Sequence, residues 1–180
     1  MGKVCFGMTT SLDGFVADPQ GDASILYPDL REWRHTETAK EIMGSTGAVV
    51  MGRRSYDMAE GGDWSDYEFR VPIFVLTHHP PERPARGRDF TFVTDGVESA
   101  IRQARAAAGD KDVTVVGGVD TGRQLLRAGL IDELQIDIMP ILLGDGLRLF
   151  ERWPTEPIRL ERINVRESGV RTELRFRVVK

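Results

Sequence analysis

The sequence predicts an α/β fold: a mostly parallel central sheet with helices on both faces, in three layers, closed by an antiparallel C-terminal hairpin. Three observations carry this. Strand-like and helix-like segments alternate along most of the chain, the pattern that buries a parallel sheet on both faces. Two apolar runs end in glycine and pass straight into helical sequence, AVVMGRRS at 48–55 and VTVVGGVDTGRQLL at 113–126. Two late runs, 158–166 and 170–179, are joined by Glu167-Ser168-Gly169, a hairpin signal.

The elements follow in order. KVCFGMT at 3–9 is a first strand, and Asp13-Gly14, Asp18-Pro19 and Gly21-Asp22 are turn signals after it. Residues 30–44 carry a helical pattern anchored by Leu30, Trp33, Ile42 and Met43, with Gly44 as its C-terminal cap. Ala48 to Met51 is a strand, and a helix begins over Arg53 to Met58. Gly61 to Glu68 is a polar loop holding Trp64, and Pro72 to Thr77 is a strand. HHPPERPARGRD is a proline-rich surface loop, and Phe90 to Val93 a short strand. Thr94-Asp95-Gly96 opens a helix to about Ala108, with Val97, Ala100, Ile101 and Ala104 on one face. Val113 to Val116 is a strand, Asp120 to Ala128 a helix, and 133–139 a strand. Residues 140–150 form a loop with an apolar rim. No repeat and no linker interrupts the 180 residues, so one domain over 1–180 is expected.

Composition excludes several classes. Hydrophobic residues make up 41% and charged residues 29%, ordinary for a globular chain with a real core. A net charge of −4 argues against general nucleic-acid or anionic-membrane binding. Arg83, Arg86 and Arg88 lack the interleaved aromatics of a stacking platform and are expected to form a solvated loop face. No run approaches the ~20 apolar residues that span a bilayer. The single cysteine, Cys5, allows no intrachain disulfide, which fits a reducing cytoplasm, and is expected to be an inert core thiol. His78 and His79 point to opposite faces of one strand and His35 is distant, so no metal site is expected.

The two glycine turns carry anion-binding chemistry. Gly117 and Gly118 let a backbone approach an anion closely, and the first N–H groups of the next helix lack intrahelical partners. Gly52, Arg53, Arg54 and Ser55 repeat the idea with two cations suited to bidentate phosphate contacts. Two such turns suggest a ligand with more than one phosphate, and a nucleotide cofactor is the natural candidate.

Four ordered blocks covering essentially the whole chain resemble the dihydrofolate reductase superfamily. Within it they resemble the branch shared with the C-terminal reductase domain of the riboflavin-synthesis deaminase-reductase. The blocks are SLDGFVA (11–17), VVMGRRSYD (49–57), FVLTHH (74–79), and VVGGVDTGRQLL (115–126) with IDELQIDIMPILLGDGLRLF (131–150). The resemblance implies a dihydrofolate-reductase-like three-layer αβα sandwich and an NADPH-dependent reductase acting on a small heterocycle. It implies that Gly52, Arg53, Arg54 and Ser55 hold the diphosphate and 2′-phosphate, and that Leu76, Thr77 and His78 flank the adenosine ribose. Gly117, Gly118, Val119, Asp120 and Thr121 would hold the diphosphate and approach the nicotinamide. Such domains commonly pair, so a homodimer is expected, with Ile138 to Phe150 and the final strands as interface.

Two departures stand out. Asp120 occupies a position where some relatives carry a cation, and Gly122 stands where folate reductases carry a tyrosine, which implies a more open nicotinamide pocket and a substrate other than folate.

Hydride transfer to C=N or C=O needs a proton on the heteroatom. Asp29, with Trp33 one turn later, lies in the setting of the folate-reductase carboxylate; an Asp before a helical run is also an ordinary N-cap. Asp13, Trp33, Trp64 and Asp137 are further pocket candidates, each with a structural alternative: turn, core, surface packing and half-buried strand. The missing tyrosine and the uncertain acid leave open a non-catalytic nucleotide-binding or interaction protein on the same scaffold.

Overall fold

The computed structural model describes residues 2–58, 63–151 and 156–180. Gly61 and Gly62, the start of the expected polar loop, lie outside the described residues. The fold class is as expected: a mostly parallel sheet flanked by helices, with an antiparallel C-terminal hairpin. The described residues form two compact units, the first comprising residues up to Phe6 with Ile42–Asp132, the second Gly7–Glu41 with Glu133–Lys180. Strand β1 (Val4–Ser11) gives its first residues to the first unit and its last to the second.

In the first unit, strand order is β5 (Phe90–Val93), β4 (Ile73–Leu76), β3 (Thr46–Gly52), β6 (Asp112–Val115) and β1, every pairing parallel. Parallel strands are covered on both faces, and these read accordingly: Ala48, Val49, Val50, Ile73, Val75, Val113 and Val115 are all buried. Helix α4 (Val97–Ala108) buries the expected face of Val97, Ala100, Ile101 and Ala104. Short α3 (Arg53–Asp57) follows β3, and α5 (Val119–Arg127) follows β6.

The second unit is antiparallel. Strand β10 (Arg171–Val178) lies between β7 (Glu133–Met139) and β9 (Leu160–Ser168), with Gly169 at φ 61° in the connecting turn. Two features differ from expectation. The helix over 30–44 is two helices, α1 (Leu30–Trp33) and α2 (Glu37–Ser45). Thr36 causes the break: its hydroxyl accepts the Ala39 N–H at 3.2 Å and donates to the Trp33 carbonyl at 2.8 Å, so it caps the second helix. Gly44 consequently lies inside α2 rather than capping it. The turn-rich stretch after β1 and the 140–150 loop also hold a second small sheet, β2 (Phe15–Ala17) against β8 (Leu147–Arg148). Gly146, at φ 135°, permits it; a Cβ there would stand 2.1 Å from the Ala17 carbonyl oxygen.

Candidate functional site

The two glycine turns meet. Strands β3 and β6 are neighbours in register, Val50 opposite Val115, so their carboxyl ends leave the sheet side by side. The Gly52 N–H donates to the Gly117 carbonyl at 3.0 Å. A Cβ on Gly52 would stand 2.6 Å from Thr121 Oγ1 and 3.2 Å from the Gly118 nitrogen, so only glycine lets the turns approach this closely. Gly117, at φ 88°, turns the chain into α5. Gly118 is the N-cap of α5 and offers no side chain to the first N–H groups, which leaves them to an outside acceptor. Leu76 lies opposite Gly52 across β3 and β4, bringing Thr77 and His78 to the same edge. The Thr77 hydroxyl accepts the His79 N–H at 3.2 Å and so shapes that loop. Crevices beyond the carboxyl ends of parallel strands are where nucleotides bind in such sheets.

The charges here are divided. Arg53 is engaged: its Nε donates to both Asp57 carboxylate oxygens at 2.8 and 2.9 Å, and Nη1 donates to the His79 carbonyl at 2.5 Å. Arg54 is exposed and has no partner among the described residues. Ser55 is half-buried beside it, and Val119 is buried. Asp120 is turned outward, its side chain 81% exposed and 3.8 Å from Arg123. An acid in the first turn of a helix is favoured by the dipole. Gly122 faces the interior, where a Cβ would stand 2.1 Å from Phe6 Cζ. The space a larger residue would take is therefore filled by a phenylalanine ring rather than left open, a correction to the expected wider pocket. The backbone donors, the close-packed glycine turns and Arg54 fit the diphosphate and phosphate of a dinucleotide.

The second unit holds a buried charged cluster of another kind. Arg171, with its side chain 2% exposed, grips Asp29 with two parallel hydrogen bonds, Nε to Oδ2 at 2.8 Å and Nη2 to Oδ1 at 2.5 Å. Its Nη1 donates to Thr9 Oγ1 at 3.0 Å and lies 3.7 Å from Asp137 Oδ2. The guanidinium also stands over the rings of Tyr27 and Trp33, 5.6 and 5.9 Å from their centroids. Asp137 is directly opposite Glu173 across β7 and β10, and both are buried. Thr38 donates to Glu173 Oε2 at 2.6 Å, while Oε1 is buried without a hydrogen-bond partner among the described residues. The Arg171 hydrogen bonds hold the Asp29 carboxyl below its ordinary range. Burial pushes Asp137 up to about 6, aided by the Glu173 and Asp29 charges and opposed by the Gln135 amide and Arg171. Burial likewise raises the Tyr27 phenol.

The other candidates are placed as follows. Asp13 accepts the N–H groups of Leu143 at 3.1 Å and Gly144 at 2.8 Å and the Ser11 hydroxyl at 2.6 Å, tying the β1 exit to the 140s loop. Trp64 is buried in an aromatic core, stacked 6.0 Å from Tyr56 and edge-on to Tyr67 and Phe90. Arg88 departs from the expected solvated loop face: it donates to the carbonyls of Phe69, Ser65 and Tyr67 and struts the loop from within. Sequence reasoning missed Arg171, Glu173 and Thr38. The only signal was two ionisable residues at alternate positions of one strand, which puts both on the same face.

These elements define the dihydrofolate-reductase-like class of fold: dihydrofolate reductase from Enterococcus faecalis, solved in complex with NADP(H), superposes with TM-score 0.63 at 14% identity over 99% of this chain and 98% of that one. The particular family is narrower. The RibD C-terminal domain family matches residues 2–174, and the chain belongs to it. A putative riboflavin biosynthesis protein from Shewanella sp. PV-4 is 26% identical with TM-score 0.79, over 99% of both chains. The uncharacterised protein YyaP of Bacillus subtilis (strain 168) is 22% identical over 93% of this chain and 91% of its own length. Among the described residues, no helix is long and apolar enough to cross a membrane and no residue group suits a metal ion.

Proposed function

We propose that this protein is an NADPH-dependent reductase that transfers a hydride to a small heterocycle of the pterin, flavin-precursor or pyrimidine-like kind. The observation that carries the reading is the hydrogen-bonded pair of glycine turns, Gly52 N–H to Gly117 carbonyl, opening onto the uncapped start of α5. Family membership supports the reductase class. Gly117, Gly118 and the first N–H groups of α5 receive the diphosphate; Ser55, Thr77 and His78 line its adenosine end, and Arg54 supplies the charge for the 2′-phosphate. NADPH, when bound, supplies the hydride; the protein positions the substrate, excludes water and provides the proton.

The test is calorimetric titration with NADPH and then NADH. Tight NADPH binding is expected, weakened about tenfold by Arg54→Gln, as loss of one charge-assisted hydrogen bond implies. NADH binding should change little. Failure of either nucleotide to bind below millimolar would remove the reading.

The protein is further proposed to act in the cytoplasm as a homodimer. Its edge strand β9 supports pairing: Leu160, Ile163 and Val165 are 42%, 41% and 50% exposed. A monomeric sedimentation mass at micromolar concentration would refute the dimer.

A further inference from the structure

We propose that Tyr56 is a positioning residue for the cofactor: its buried hydroxyl holds the loop after β4, so that Thr77 and His78 stand ready for the 2′-phosphate, although Tyr56 itself touches no ligand. The inference rests on the NADPH reading and concerns what holds the adenosine end of that site. Every residue in it belongs to the first unit.

Helix α3 is too short to hold its own place. It has 5 residues, well below the roughly 12–15 at which an isolated helix becomes even marginally stable. Of these only Tyr56 is buried. Its ring is set from three sides. Trp64 stacks on it with centroids 6.0 Å apart, and Phe90 and Phe92, on one face of β5, meet it edge-on at 5.0 and 5.4 Å. A phenylalanine would keep all of these ring contacts. The hydroxyl adds one thing the ring does not: it accepts the Ala85 N–H at 2.6 Å.

That bond matters because the loop has few others. Pro80, Pro81 and Pro84 have no N–H to donate. Among the described residues, hydrogen bonds from residues 78–85 reach beyond the adjacent Thr77 at two points. Arg53 Nη1 donates to the His79 carbonyl at 2.5 Å, and the Ala85 N–H donates to Tyr56. Both anchors belong to α3 and stand at positions i and i+3, on one face of the helix. The Arg53 guanidinium carbon lies 6.0 Å from the Tyr56 ring centroid, so the two anchors pack as a pair. Arg54, between them in sequence, is exposed and left for a phosphate. Leu76 lies opposite Gly52, so the loop and α3 leave the sheet side by side. Losing the Tyr56 bond lets Thr77 and His78 move relative to Arg54. The glycine turns stay in place, because the Gly52 N–H to Gly117 carbonyl bond does not involve the loop.

Tyr56→Phe separates the hydroxyl from the ring. The test is calorimetric titration of the full protein with NADPH, NADH and adenosine 2′,5′-bisphosphate. In Tyr56→Phe, affinity for NADPH and for the bisphosphate should fall about fivefold, the scale of one hydrogen bond, while affinity for NADH changes less than about twofold. A general loosening of the protein would weaken NADPH and NADH alike; that result, or unchanged NADPH binding, overturns the proposal. Ala85→Pro removes the donor and leaves every aromatic ring in place, so it gives the same signature where Tyr56→Phe does not fold. In the double variant the two losses should not add, and full additivity overturns the proposal. Amide exchange is the second readout. NADPH, but not NADH, should slow exchange across residues 78–85 in wild type, and less so in Tyr56→Phe. Equal slowing by both saturating nucleotides would set the loop apart from the 2′-phosphate and also overturns it. If wild type binds neither nucleotide below millimolar, the reductase reading falls and this proposal with it. If wild type and Tyr56→Phe bind NADPH equally well, only this proposal falls.

Discussion

The two units solve recognition with opposite materials. In the first, the candidate anion cradle is backbone: glycine turns at the ends of parallel strands and the N-terminus of α5, with Arg54 at its rim. In the second, the candidate cluster is side chain: Arg171, the buried carboxylates of Asp137 and Glu173 and the half-buried Asp29, on and beside antiparallel strands. Backbone dipoles are fixed by the fold and need no counter-charge. Buried side-chain charges are stabilised only by one another, so removing one exposes the desolvation of the rest. The first unit should therefore tolerate loss of charge and resist added volume, and the second the reverse.

The most severe test is Arg171→Met. It leaves Asp29 and Asp137 without their cation and should destabilise the protein by about 3–5 kcal/mol in denaturant unfolding. Arg171→Lys should rescue little, because an ammonium cannot make the bidentate pair. A loss below about 1 kcal/mol would show that the cluster is not the coupled unit the hydrogen bonds describe.

Next is the pH dependence, where the sign is diagnostic. Asp137 rises from 3.8 to about 6 on folding, so between those values the native state binds more protons than the unfolded chain. Stability should therefore fall as pH rises through that window, by about 2–3 kcal/mol, and level off above it. Asp137→Asn should remove this slope. Asp13 works oppositely: its carboxyl is lowered from 3.8 to about 2, with the Ser11 hydroxyl as the main cause, so its contribution is present above about pH 4 and lost as pH falls toward 2. Urea midpoints from pH 2 to 8 for wild type, Asp137→Asn and Asp13→Asn separate the two. A wild-type curve that climbs steadily from pH 4 to 6 would contradict the assignment.

In the first unit, volume is the sensitive variable. Gly122→Ala would place a methyl 2.1 Å from the Phe6 ring, itself fully buried, and should destabilise by about 1–3 kcal/mol. Phe6→Leu in the same background should recover part of the loss. Full additivity of the two changes would mean they do not meet.

The same contrast explains what could be read from the sequence. The strand-glycine-helix turns were legible because all their parts are contiguous: an apolar run, then Gly52 or Gly117, then a helical pattern. The C-terminal hairpin was legible for the same reason. The α1–α2 break was missed because helix-favouring sequence with apolar anchors lies on both sides of Thr36, and only the hydroxyl cap shows that the chain turns. The β2–β8 pairing was missed because two and three residues give no period. Asp29 and Asp137 were visible as candidates, but their division of labour depends on Arg171, whose bond to Asp29 spans 142 residues. No local pattern announces that a strand arginine will neutralise one acid and leave its neighbour short of positive charge.

The smallest effect asks whether the cradle is as tolerant of charge as the comparison requires. Asp57→Ala frees Arg53 from an exposed ion pair four residues away on α3. Such pairs contribute about 0.3–0.5 kcal/mol, so the unfolding midpoint should hardly move. Arg53 would keep its bond to the His79 carbonyl and gain a free Nε. If Arg54 already supplies the phosphate charge, a second free guanidinium can only strengthen it, and the preference for NADPH over NADH should rise a few-fold. A fall in that preference would place Asp57 itself in the ligand's hydrogen-bonding scheme. The cradle would then depend on paired side-chain charges after all, as the second unit does.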